Sequence, residues 1–187
     1  MKKVFAVSLC LIPLLALSQK FKPLDSLTLI KFGSNRQKVV EVIKADHGVW
    51  DVQHSVLQYY VFTHVRFDSE SKSLFIVKFT GDKAYEIDYV INPGADINVL
   101  GYYCEIIQKI REAYGPPKSG KQFKSPCKGG DINEIKAIKL GFSYYGSCWY
   151  AGSNSILLSI DARLRIILTI QDNKLTNEAF EKQNAVN

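Results

Sequence analysis

The chain has 187 residues, 24 lysines and arginines against 18 acids, and a formal charge of +6, with aromatic side chains making up 12% of it. That length buries a hydrophobic core without staples. The charge is too mild to mark a nucleic-acid binder, which carries a dense basic stripe.

The N-terminus has the layout of a secretory signal peptide. Lys2 and Lys3 precede an apolar run from Val4 to Leu17, broken only by Ser8 and Pro13, and Ala16 and Ser18 are small residues at the −3 and −1 positions of a cleavage before Gln19. Cys10 lies inside the apolar run behind the large Leu9 and is not a lipidation site. Cleavage takes away two lysines and no acids, so the charge falls to +4. No later stretch is apolar and long enough to span a bilayer, which needs ~20 residues. The expected product is periplasmic or secreted, with no transmembrane span after cleavage.

Residues 19–92 read as a first unit. Gln19 to Leu29 is an arm or edge strand. Ser34 with Gln37 forms a helix-start signal, Val39, Val42 and Ile43 give the helix an apolar stripe, and Gly48 is placed to stop it in a left-handed conformation. Ser55 to Phe67 alternates as a strand with Leu57, Tyr59, Val61, Thr63, Val65 and Phe67 on one face. Ser73 to Ile91 is the clearest element: two alternating runs reversed at Thr80-Gly81-Asp82-Lys83.

Residues 93–187 read as a second unit. Asn92-Pro93-Gly94-Ala95-Asp96 breaks the pattern, and a helix follows from about Asn98 to Tyr114, with Tyr103, Ile106, Ile107, Ile110 and Tyr114 at helical spacing. Gly115-Pro116-Pro117 ends it. Lys118 to Asp131 reads as a lysine-rich loop and Ile135 to Tyr150 as a strand. Asn154 to Asp172 is a hairpin turning at Asp161-Ala162-Arg163, and the polar tail beyond it frays. The fold class expected is α+β: two tandem units, each a helix packed on an antiparallel three-stranded meander.

An oxidising compartment permits disulfides. Of Cys104, Cys127 and Cys148, the last two flank the glycine- and lysine-rich loop and form the preferred pair, whose closure stabilises by about 3 kcal/mol in the chain-entropy model. Cys104 sits in a helical pattern as a small buried hydrophobe. No C-x-x-C or H-x-x-x-H spacing occurs, so no metal is expected. His47, His54 and His64 lack a ligand partner at a suitable spacing. No G-x-S-x-G elbow or phosphate-cradling glycine motif is present, so neither cofactor nor catalytic residue is expected.

Two features carry binding chemistry. Lys118, Lys121, Lys124 and Lys128, joined by Phe123, present a cationic surface suited to an anionic ligand. Tyr59, Tyr60, Phe62, Tyr144, Tyr145, Trp149 and Tyr150 supply aromatic rings to sheet faces, and such rings dominate protein interfaces.

Lys31-Phe32-Gly33-Ser34 followed by Val39 and Ile43, and Ile110 to Pro117 with a tryptophan and a hairpin downstream, resemble the β-lactamase-inhibitor-protein-like fold. The small lipoprotein of the outer-membrane assembly machinery shares that fold. The likeness runs over residues 27–172 as a pattern of elements and implies a binding scaffold with no active site. The chain departs from the lipoproteins in lacking a lipidation cysteine after the signal peptide.

The function expected is a non-catalytic, exported interaction module for a protein of the cell envelope. The alternatives are a binder of an anionic small ligand or glycan through the Lys118–Lys128 segment, and an enzyme of unrecognised type.

Overall fold

A computed structural model describes residues 27–67, 72–93, 98–123 and 133–185. The two hairpins legible in the sequence form its centre. β3 (Lys72–Thr80) and β4 (Lys83–Asn92) reverse at Gly81, whose φ of +59° suits the turn. β7 (Asn154–Ile160) and β8 (Ile166–Asp172) reverse around Asp161, whose carboxylate accepts the backbone N–H groups of Arg163 and Arg165 at 3.0 and 2.9 Å. The last strands of the two hairpins pair with each other, Glu86 opposite Gln171 through Ile91 opposite Ile166.

That seam makes one antiparallel sheet of eight strands in the order β1-β2-β3-β4-β8-β7-β6-β5. The remaining strands are β1 (Val49–Val56), β2 (Tyr59–Val65), β5 (Lys118–Phe123) and β6 (Ser143–Ala151). Among the described residues four helices accompany them: α1 (Arg36–Ala45), α2 (Val99–Tyr114), α3 (Glu134–Lys139) and α4 (Asn173–Asn184). The expected two tandem units of a helix on three strands are therefore corrected. The sheet is continuous, and each half of it has four strands.

The extra strand in each half is an edge strand, and the reason it escapes a pattern reading is physical. An edge strand that is wet on both faces has no need to alternate. None of the eight β1 residues from Val49 to Val56 is buried: five are exposed and three half-buried, in an irregular order, and a register break falls between Asp51 and Val56. Ser55 bridges the break: its hydroxyl donates to the Asp51 carbonyl at 2.6 Å and accepts from Val61 N–H and the Trp50 indole. β5 carries Lys118, Gly120 and Lys121, a composition that also reads as loop. The expected long strand Ser55–Phe67 is split by a turn at Leu57-Gln58.

The helix ends also differ in detail. Asn35, not Ser34, caps α1, accepting the Lys38 N–H at 2.8 Å. His47 takes the left-handed conformation at φ 67°, and Gly48 follows it in close contact, where an added Cβ would lie 2.4 Å from Ile43 Cγ2. α2 is capped by Asn98 and stopped by Gly115 at φ 78°, as the sequence implies. α3 replaces the first part of the strand expected from Ile135. α4 stands where a frayed tail was expected, its N-terminus capped by Asp172, which accepts the Leu175 N–H at 2.9 Å. Of the arm expected at Gln19–Leu29, residues 27–29 are described and form no strand.

Register separates the two faces of the sheet. One row across it reads Trp50, Phe62, Phe75, Tyr89, Leu168, Leu158, Ser147. This is the core face: Phe75 and Tyr89 meet edge-on at 4.8 Å, and Val39 and Ile43 of α1 and Ile106 and Ile110 of α2 join them in a single apolar cluster. Each such side chain, fully buried, stabilises by roughly 1.5–3 kcal/mol. The adjacent row, on the second face, reads Asp51, Val61, Ile76, Asp88, Thr169, Leu157, Cys148, Lys118. α1 and α2 do not cover it.

Candidate functional site

The second face divides into a covered and an uncovered part. α4 follows β8 directly and packs on β3, β4 and β8. Its first residue, Asn173, accepts the Ser155 hydroxyl at 2.8 Å, and Ser155 belongs to the second face because it pairs with Gln171, itself opposite Glu86. No α4 side chain enters the apolar cluster of the core. Among the described residues, no helix covers this face of strands β5, β6 and β7.

On those strands the open face shows Lys118, Gly120 and Gln122, then Tyr144, Gly146, Cys148 and Tyr150, then Ser155, Leu157 and Ser159. Tyr150 is 62% exposed, Tyr144 51% and Leu157 38%, although each lies on a strand paired on both sides. Tyr144 folds down along its strand over Gly146: a Cβ added there would lie 2.5 Å from the phenol oxygen. Gly120, opposite Gly146, has open space above it. The Tyr144 ring thus covers Gly146, while Gly120 is left open beside the Lys118–Cys148–Leu157 row. The Lys118 ammonium sits 5.3 Å from the centre of the Tyr150 ring. A hydrogen bond with the Cys148 thiol pushes the Tyr150 phenol above its ordinary pKa.

The sequence-derived site residues fall in different places. Lys118 and Tyr150 come together on the open face, with Cys148 between them. Lys121 is on the opposite face of β5, beside Tyr145, its ammonium 5.1 Å from that ring and ion-paired to Glu134 at the start of α3. Hydrogen bonds from Lys121 and Tyr145 hold the Glu134 carboxyl below its ordinary range. Trp149 is 2% exposed and donates its indole N–H to the Gly115 carbonyl at 3.0 Å, so it anchors the end of α2. Phe123 lies on β5 opposite Ser143. Lys124, Cys127 and Lys128 lie outside the described residues, and so does half of the expected Cys127–Cys148 pair. Cys148 is a half-buried free thiol, and Cys104 is exposed rather than buried. Leu157 is not among the sequence-derived site residues. It alternates with the core residues Ile156 and Leu158, and an apolar residue at an outward position was the signal that could have found it.

Where α4 and the strands meet, the second face is polar. Lys78 pairs with Glu86 and, at 3.2 Å, with Asp88, which also accepts the Thr169 hydroxyl at 2.5 Å. Burial works against the Lys78 ammonium, yet the two carboxylates outweigh it and keep the group charged. Burial raises Glu86, which shares its one cation with Asp88. Each charge in this network has a partner within it, so the cluster is structural in form.

His54 bonds Asp51 at 2.8 Å at the exposed β1 edge, which lowers the aspartate. Its neighbour Ser55 is occupied by three bonds and is not poised as a nucleophile. Among the described residues no group of three histidine, cysteine or acidic side chains could hold a metal, and no helix is long and apolar enough to cross a membrane. No protein-family model matches this chain, and no curated protein or solved structure matches it.

Proposed function

We propose that the chain is an exported, non-catalytic interaction module that binds a protein of the cell envelope through the open β5–β7 face. The observation that carries this reading is the exposure of Tyr144, Tyr150 and Leu157 on one face of neighbouring strands, with Lys118 beside Tyr150. Burying rings of this kind is what drives association, and a flat surface with an apolar centre and a charged rim suits a protein partner. The resemblance to β-lactamase-inhibitor-protein-like scaffolds points the same way. Export follows from the signal-peptide pattern at residues 1–18, and N-terminal sequencing of the exported product, expected to begin at Gln19, checks it. In a direct binding assay, Tyr144→Ala with Tyr150→Ala is expected to weaken partner affinity at least about 100-fold, the scale of two hot-spot residues. Unchanged affinity overturns the assignment of the face.

A second reading rests on Lys118, which has no ion pair among the described residues, whereas Lys121 is held by Glu134. A binder of an anionic ligand or glycan would use Lys118. Its binding would fall steeply with salt and be lost in Lys118→Glu while surviving Tyr144→Ala.

A further inference from the structure

We infer that the partner adds an extended segment to the outer edge of β5, with a carboxylate beside Lys118. The inference rests on the reading of the open face given above and names how the partner engages it. β5 ends the eight-stranded sheet, and no strand among the described residues pairs with its outer side. Alternate residues of such a strand direct their N–H and C=O groups away from the sheet, where an added strand can bond them.

The two edges of the sheet are built differently. At β1 the Asp51 carboxylate accepts the His54 N–H at 3.2 Å and bonds its imidazole at 2.8 Å, and the Ser55 hydroxyl donates to the Asp51 carbonyl at 2.6 Å. The register with β2 breaks over the same residues. A broken ladder and a charged side chain folded onto the backbone are among the devices that keep an edge strand from pairing. β5 has no such break. It pairs with β6 at six consecutive positions, Lys118 opposite Cys148 through Phe123 opposite Ser143, and contains no proline.

The chemistry of this edge selects the segment. β5 holds two lysines and no acid. Lys121, on the core face, is ion-paired to Glu134. Lys118, on the open face, meets the Tyr150 ring and has no carboxylate partner among the described residues. An acidic side chain opposite Lys118 on an added strand supplies that partner. A second copy of the chain would instead set two basic strands side by side. Two residues along the same face is Gly120, where an added Cβ would meet nothing within 4 Å. Glycine within a strand suits the close approach of another backbone. Here it also leaves room for a large apolar side chain of the segment to lean across β5 onto the Tyr144 ring, which lies over Gly146 opposite Gly120.

Hydrogen exchange on the full chain tests the inference, with a capped hexapeptide of threonines that carries glutamate at its second position and leucine at its fourth. Saturating peptide is expected to slow alternate β5 amides at least about tenfold and to leave those of β1 unchanged. Lys118→Glu, at an exposed position, is expected to weaken this peptide about tenfold and to favour its counterpart with lysine in place of glutamate. No slowing at β5, slowing at β1, or an equal effect of the two peptides on the parent chain overturns the inference. So do β5 amides that are all as protected as those of β6 without peptide. Protection of β5 that rises with protein concentration alone is a second copy on the edge and overturns it too. Peptide protection is read without the natural partner and the Tyr144→Ala and Tyr150→Ala assay with it, so the two readings fail separately.

Discussion

The indole N–H of Trp149 donates to the carbonyl of Gly115 at 3.0 Å, joining the middle of β6 to the last residue of the α2 cap. The bond fixes the helix end against the sheet just where Pro116 and Pro117 turn the chain back into β5. Trp149→Phe keeps a ring in the core but leaves that carbonyl without its donor. A loss of roughly 1–3 kcal/mol in urea unfolding is expected, with binding through the open face retained.

One sheet and one apolar cluster imply one unfolding event. Ile43 on α1 and Ile110 on α2 belong to the same cluster although they lie in different halves of the chain. Ile43→Ala and Ile110→Ala are each expected to destabilise by about 2–5 kcal/mol. Both should shift the same single transition, followed by calorimetry and by tryptophan fluorescence. Two separable transitions, each sensitive to one substitution, would contradict the continuous sheet.

The turn at Asp161 makes stability depend on acid. Burial alone would raise this carboxyl, but hydrogen bonds from the Arg165 side chain and from the backbone of Arg165 and Arg163 outweigh it, and its pKa lies below the ordinary 3.8. A carboxylate with a depressed native pKa stabilises the fold above its unfolded pKa, and that contribution is lost as the pH falls through the native value. Asp161→Ala is expected to cost about 1–2 kcal/mol at pH 7. The gap between variant and parent should narrow at pH 3 and below, as measured by denaturant titration.

At the end of α1 the residue in the left-handed region is His47 at φ 67°, while Gly48 is needed for close approach. His47→Gly is therefore expected to be neutral or stabilising, by up to about 1 kcal/mol. Gly48→Ala drives a methyl into Ile43 and Val65 and is expected to cost roughly 1–3 kcal/mol. Thermal melts of the two variants separate the roles.

These particulars show what the sequence makes legible. Hairpins at Ser73–Ile91 and Asn154–Asp172 could be read because each strand has one face in the core and so alternates. α2 could be read because five buried residues recur at helical spacing between an asparagine cap and a glycine stop. β1 and β5 could not, since edge strands bury little and their ladder bonds leave no mark on composition. α4 was hidden by its polarity: a helix that buries one threonine has no apolar stripe. The pairing of β4 with β8 depends on residues about 80 apart, which no local pattern encodes. At the site, Lys118 and Tyr150 were among the candidates but their adjacency was not visible, because it requires β5 to be a strand. Trp149 and Tyr150 looked equivalent until alternation sent one into the core and the other to solvent.

The measurement that tests the central claim most directly is chemical crosslinking of the protein in the cells that produce it, with mass spectrometry of the linked peptides. The expected result is one dominant protein partner, linked through Lys118 and lost when Tyr144 and Tyr150 are both replaced by alanine in a chain that still folds. A partner retained by that double variant, or no protein above background, would contradict recognition through the open β5–β7 face.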